Sequence, residues 1–154
     1  MDSKRNLAQK LLDIMSEAGT MEKAGYNAHN KYAYVKESDV SEKFQGLLAK
    51  HGVFILSSVL SCESKQVQSS TGKPNILSSV VMEYTLINVD DPKETYTVRA
   101  SGDGMDVGDK AIYKALTGAH KYFFIRNFNL GSDDDAEKDS PAVSKAEPVK
   151  GGIL

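Results

Sequence analysis

Three runs rich in β-branched and aromatic residues follow one another in this chain: VFILSSVLSC from residue 53, ILSSVVMEYTLINV from residue 76 and ETYTVRASG from residue 94. Such runs read as strands. Between them lie the polar stretch ESKQVQSSTGKPN and the turn-forming DDPK. Neither can form the crossover helix that parallel pairing requires, so the spacing predicts an antiparallel meander joined by one long hairpin loop and one tight turn.

Helical periodicity flanks these strands. Leu7, Leu11, Ile14, Met15 and Ala18 recur at three- and four-residue spacing and predict a first amphipathic helix ending at Gly19. After a polar stretch, KYAYV alternates like a short strand. Asp39 is placed to cap a second helix running to about His51, with Val40, Phe44, Leu47 and Leu48 on its buried side and Gly52 as its stop. A long helix follows the third strand. The fold class is therefore α+β: a small antiparallel β-meander packed against a long helix, with flanking N-terminal helices.

The stretch GDGMDVGDKAIYKALTGAHKYFF, residues 102–124, carries the glycines that a nucleotide site would need. A phosphate loop has two glycines separated by four residues, then Lys and a hydroxyl residue, because amides and the lysine hold phosphates while the hydroxyl holds magnesium. Here Gly104 and Gly108 are too close, Asp109 precedes Lys110, and Ala111 stands where the hydroxyl belongs. The dinucleotide pattern fails too, since Val107 occupies the third glycine's place. The glycines instead serve to let the chain leave a strand and start a helix, with Asp106 as its cap. No catalytic residue and no cofactor is implied.

At about 100° per residue, Lys110, Lys114, Thr117 and Lys121 fall within an arc of roughly 60°, while Ala111, Ile112, Ala115, Leu116, Ala119 and Phe123 face the other way. A solvated helix face is the bland account of those lysines. What favours a phosphate-binding role is the expected absence of acidic partners on that face, which leaves the charge available to a single strand of nucleic acid. Lys31, Tyr32, Tyr34 and Lys36 form a second basic and aromatic cluster, for which a half-buried strand with snorkelling lysines is the alternative. Tyr122 shares the apolar side with Ala115 and Ala119 and is assigned to the core.

The formal net charge is −2, made of +1 through residue 130 and −3 beyond it. The acidity therefore sits in GSDDDAEKDSPAVSKAEPVKGGIL, which is poor in large apolar residues and reads as a disordered tail from about residue 132. No apolar run is long enough to cross a membrane, the N-terminus lacks the pattern of a secretory signal, and a lone Cys62 fits a reducing cytoplasm.

The run SGDGMDVGDKAIYKALTGAHKYFFIRNFNLGSDDDAE, together with the upstream MEKAGYNAHNKYAYVKESDV, resembles the ERF family of phage single-strand annealing proteins over most of residues 1–137. The resemblance implies a recombination protein of the host bacterial cytoplasm that binds single-stranded DNA, pairs complementary strands without nucleotide hydrolysis and assembles into homo-oligomeric rings or helical filaments. A host single-strand-binding protein is a further implied partner. With the tail boundary read from composition, the annealing domain is expected over residues 1–131, followed by the acidic tail at 132–154. The DNA-binding candidates are Lys31, Tyr32, Tyr34, Lys36, Arg99, Lys110, Lys114, Lys121 and Arg126; Arg99 could face either side of its strand, and Arg126 lies toward the apolar side of the helix unless the helix ends before it.

Two other classes compete. Asp103, Asp106 and Asp109, or Asp133 to Asp135, resemble magnesium ligands of a nuclease, but the first set crosses a helix start, where acids favour the dipole, and the second lies in the tail. His29, His51 and His120 have no paired spacing that would suggest zinc. A non-enzymatic adaptor that binds recombination or replication proteins through its acidic tail is the alternative to DNA binding.

Overall fold

The computed structural model describes residues 4–20, 23–29 and 31–130. Its elements are α1 (Leu7–Ala18), β1 (Gly25–Asn27), β2 (Tyr32–Tyr34), α2 (Glu37–His51), β3 (Val53–Gln68), β4 (Pro74–Asn88), β5 (Asp91–Asp106) and α3 (Ala111–Asn127). β3, β4 and β5 form an antiparallel meander with β4 in the centre, and β1 and β2 pair as a separate antiparallel hairpin. This is the α+β class the sequence predicts. The tail from residue 132 lies outside the described residues.

Alternation along β4 decides which face is covered. Ser78, Val80, Met82, Tyr84, Leu86 and Asn88 are buried, whereas the residues between them are less so. α3 packs on the buried face through Ala111, Ala115, Ala119 and Phe123, and its C-terminal end meets α2 where Phe124 and Phe128 contact Phe44, with the Phe44–Phe124 ring centroids 4.4 Å apart. Each large side chain buried this way contributes about 1.5–3 kcal/mol, so the layer of helices on sheet is the main stabilising feature. On the opposite sheet face Phe54 and Leu56 stay exposed.

Gly102 and Gly104 neither cradle a nucleotide nor release the chain from a strand. Both lie inside β5, under α3. A Cβ on Gly102 would meet the Ala115 carbonyl and lie 2.6 Å from the Ala119 amide nitrogen, and one on Gly104 would meet the Ala111 carbonyl and lie 2.5 Å from the Ala115 nitrogen. With alanines at 111, 115 and 119 facing glycines at 102 and 104, helix and strand backbones approach more closely than any side chain would permit.

Several boundaries differ from the sequence reading. The ESKQVQSSTGKPN loop shrinks to residues 69–73, because β3 and β4 stay paired from Glu63↔Ser79 out to Gln68↔Pro74. This arm is polar yet regular; backbone pairing and a 2.7 Å Ser64–Ser78 hydroxyl bond sustain it. Asp39 does not cap α2, which starts earlier at Glu37 with Lys36 in the capping position. Asp106 does not cap α3 either: Lys110 holds that position, and Asp106 Oδ1 instead accepts a bond from the Gly108 amide at 3.1 Å.

α1 begins with a reciprocal cap, in which Asn6 Oδ1 accepts from the Gln9 amide at 2.9 Å while the Asn6 amide donates to Gln9 Oε1 at 3.1 Å. One turn later, buried Lys10 donates from Nζ to Asn88 Oδ1 at 2.7 Å, Asp90 Oδ2 at 2.7 Å and the Gly52 carbonyl at 3.2 Å. A buried ammonium is tolerable because its donors are satisfied, and the result clamps α1 to the β4–β5 turn and to the end of α2.

Candidate nucleic-acid interface

α3 presents two adjoining strips to the outside. Taking His120 as the origin and about 100° per residue, Tyr113 lies within roughly 20°, with Leu116 about 40° to one side and Thr117 about 60° to the other. Lys110, Lys121 and Lys114 follow at about 80°, 100° and 120°. An aromatic and polar strip thus runs beside a basic one. Tyr113 is 64% exposed, a large ring in water at the start of this strip.

The lysines are not equivalent. Lys114 Nζ lies 2.6 Å from Asp106 Oδ2 and donates to the Met105 carbonyl at 3.0 Å, contrary to the expectation that no acid faces this strip. The cause is the greater length of β5, which delivers Asp106 alongside the first turn of α3. The Lys114 bond, reinforced by the Gly108 amide, holds the Asp106 carboxyl below the usual carboxylate range. Lys110 is exposed at the helix start, and Lys121 Nζ sits 4.9 Å from the centre of the Tyr122 ring. Tyr122 itself packs against the core, as expected.

Among the upstream candidates, Lys31 is exposed in the β1–β2 turn with φ 55°, and Tyr34 lays its ring over Gly25, where an added Cβ would come within 2.6 Å of ring carbons. The ring is therefore committed in part to the hairpin. The side chain of Tyr32 lies outside the described residues. Exposed Lys36 immediately precedes Glu37, whose carboxylate lies 3.7 Å from His120 Nε2 on α3. That contact ties the start of α2 to α3, one residue beyond Lys36.

Two candidates are set apart. Arg99 pairs across strands with Glu83, 3.1 Å from its carboxylate, on the sheet face opposite α3. Arg126 is exposed in the last turn of α3, about 140° around the helix from Lys121. Neither joins the strip.

The sequence reading missed three features here. Tyr113 could have been found, since it lies between Lys110 and Lys114. Tyr26, 64% exposed beside the hairpin turn, gave little signal. The third is Tyr84, which is fully buried, stacks on Phe123 at 3.9 Å, and has a hydroxyl with no hydrogen-bond partner among the described residues. Burial, with the nearby Glu37 charge, pushes its pKa up to about 12, so it remains a donor. Burial lowers the His120 pKa against the opposing pull of Glu37. Among the described residues no group of three or more His, Cys, Asp or Glu side chains could hold a metal ion, and no helix is long and apolar enough to cross a membrane.

A three-stranded antiparallel meander under a glycine-accommodated helix, with lysines and an exposed tyrosine along that helix's outer side, defines a class: a small α+β domain whose packed helix carries a basic outer strip. The sequence matches the family model of the ERF superfamily over residues 7–150, and the chain belongs to that superfamily. Membership gives it a general function in DNA recombination and strand annealing. No curated protein matches the sequence.

Proposed function

We propose that this protein is a phage recombination protein that binds single-stranded DNA along the outer side of α3 and anneals it to a complementary strand without ATP, as a homo-oligomer. The observation that carries the reading is the juxtaposition on one helix of Lys110, Lys114 and Lys121 with the exposed ring of Tyr113. Single-strand binders combine these two elements, a cationic track for phosphates and aromatic faces for bases. Lys36 extends the track from the start of α2, and Lys31 offers a second contact at the hairpin turn. Arg99 and Arg126 point elsewhere and are left to other surfaces.

Annealing needs no acid, base or nucleophile. Once lysines neutralise part of the phosphate charge, pairing of complementary strands is downhill, and the protein's contribution is to hold one strand extended with its bases accessible. One domain of this size spans few nucleotides, which favours assembly. The outer strands β3 and β5 each keep one edge without a strand partner among the described residues, and Val59 and Leu60 are exposed on β3, which supports subunit contacts along these edges.

The test is a pairing assay: two complementary fluorescent oligonucleotides, the purified protein, and neither nucleotide nor magnesium. Pairing several times faster than the spontaneous rate supports the reading. Unchanged pairing despite tight strand binding would reduce the protein to a binder, and strand degradation on adding a divalent ion would point to a nuclease.

A further inference from the structure

Opposite charges meet at the two ends of α3. Its outer side carries Lys110, Lys114 and Lys121, and the segment that follows it, GSDDDAEKDS at residues 131–140, carries five carboxylates and one lysine, Lys138. The fourteen residues beyond that segment hold only Glu147 against Lys145 and Lys150. The acidity is therefore concentrated close to the helix that bears the basic strip.

The end of α3 turns the chain back. Asn129 takes a left-handed conformation, φ 47°, and the Leu130 amide donates to the Ile125 carbonyl at 3.0 Å, so Leu130 stands level with the last turn of the helix. From Ile125 to Lys121 is about 6 Å along the axis and at most half a circumference around it, a surface path of about 18 Å. Five residues in extended form span about that distance, which lets Asp135 reach Lys121. Four more, about 13 Å of chain, exceed the roughly 10 Å from Lys121 to Lys114 and let Asp139 reach the level of Lys114. The strip already accepts a carboxylate, since Lys114 Nζ lies 2.6 Å from Asp106 Oδ2 at a half-exposed position. One exposed pair of this kind is weak, but a segment tethered a few residues from its target acts at an effective concentration in the millimolar range, and its pairs act together.

We propose that residues 133–139 are an internal competitor for the DNA track: their carboxylates engage the Lys121 and Lys114 side of α3 in the same chain until a strand of nucleic acid displaces them. The inference goes beyond the single-strand-binding reading and depends on it only for the identity of what does the displacing. Isolated phosphates and very short oligonucleotides bring too few charges to replace five tethered carboxylates. An extended strand brings a phosphate to each lysine and releases the segment, so the device reserves the strip for long strands.

The contact is tested first without DNA. A carbodiimide, which joins a carboxylate to an amine it touches, is applied to the full chain at low salt, and the digested products are mapped by mass spectrometry. A link from Asp133–Asp135, Glu137 or Asp139 to Lys121 or Lys114 within one chain is expected, lost at high salt, with the Lys114–Asp106 pair as the internal standard of the reaction. Absence of such links, or links found only in products of twice the chain mass, overturns the contact within one chain. The second arm measures binding of a thymine 20-mer by the full chain carrying Asp133→Asn, Asp134→Asn, Asp135→Asn, Glu137→Gln and Asp139→Asn. Affinity at low salt should rise about five- to tenfold, the scale of a few exposed ion pairs, and the gain should fade as salt is added. In a Lys114→Gln, Lys121→Gln background the same five substitutions should change affinity little. An equal gain in that background means that the acids act by general repulsion of the strand, and it overturns the competitor, as does unchanged affinity in the wild-type background. Should neither protein bind the strand, the single-strand-binding reading fails, and the crosslinks alone decide whether the segment sits on α3.

Discussion

Replacing Gly102 with Ala tests the packing that positions α3. The new methyl group would meet the Ala115 carbonyl and stand 2.6 Å from the Ala119 nitrogen, where ordinary contacts begin near 3.4 Å. The obstacles are backbone atoms, so no rotamer change relieves the overlap, and α3 must retreat by the better part of an ångström. A gap of that size forfeits about a quarter to a half of the dispersion attraction across it, here along Ala115, Ala119 and Phe123. Overpacking costs about 1–3 kcal/mol, and this case belongs at the upper end; the lower chain entropy of Ala returns about 0.5–1 kcal/mol. The net loss is about 2 kcal/mol, or about 6–8 °C in melting temperature for a chain of this length. Gly118→Ala is the control, because a Cβ there has no atom within 4 Å and the residue lies inside α3. It should stabilise by about 0.5–1 kcal/mol. Thermal and urea unfolding followed by circular dichroism measure both. A Gly102→Ala protein as stable as the wild type, or two variants that shift in the same direction, would refute the close-approach argument.

Lys10→Met should lower stability by about 1–3 kcal/mol in urea titration, because it removes the charged donor to the buried Asn88 carbonyl oxygen and to the Gly52 carbonyl. Tyr84→Phe should be more stable than the wild type in the absence of DNA by up to about 1–3 kcal/mol, since it deletes a buried hydroxyl that has no partner among the described residues. The His120 pKa lies below its ordinary 6.5 in the folded state, so the unfolded chain takes up the proton first; stability present above pH 6.5 is lost as pH falls below it, and His120→Gln should flatten that limb of a urea-midpoint profile. The lowered carboxyl groups of Glu17, Asp90 and Asp106 contribute stability above their ordinary values of 4.5, 3.8 and 3.8, lost only at more acid pH, which separates the two windows.

The order of strands and helices was legible because the half-buried segments carry their period in plain sight: Leu7 to Ala18, Val40 to Leu48, and the β4 alternation. The β3–β4 arm was not, because residues from Glu63 to Gln68 are exposed or half-exposed and show no inside–outside contrast, so polar composition masqueraded as a loop. The basic strip on α3 followed from helical spacing alone. Its pairing with Asp106 did not, since that depended on how far β5 runs. Arg99 needed the register opposite Glu83 to be assigned a face. Tyr84 reads as one more strand aromatic, and its hydroxyl lacks a partner among the described residues only because α3, β3 and α2 converge around it.

The most direct measurement of the central claim is the salt dependence of single-stranded DNA affinity for the wild type and for a variant with Lys110, Lys114 and Lys121 changed to Glu. The account predicts a steep fall in wild-type affinity with salt and, in the variant, weaker binding with a log–log slope shallower by about one to two, the contribution of two to three phosphate contacts to a single strand, Lys114 being shared with Asp106. An affinity that is indifferent to salt, or a variant with the wild-type slope, would contradict the assignment of the DNA track to α3.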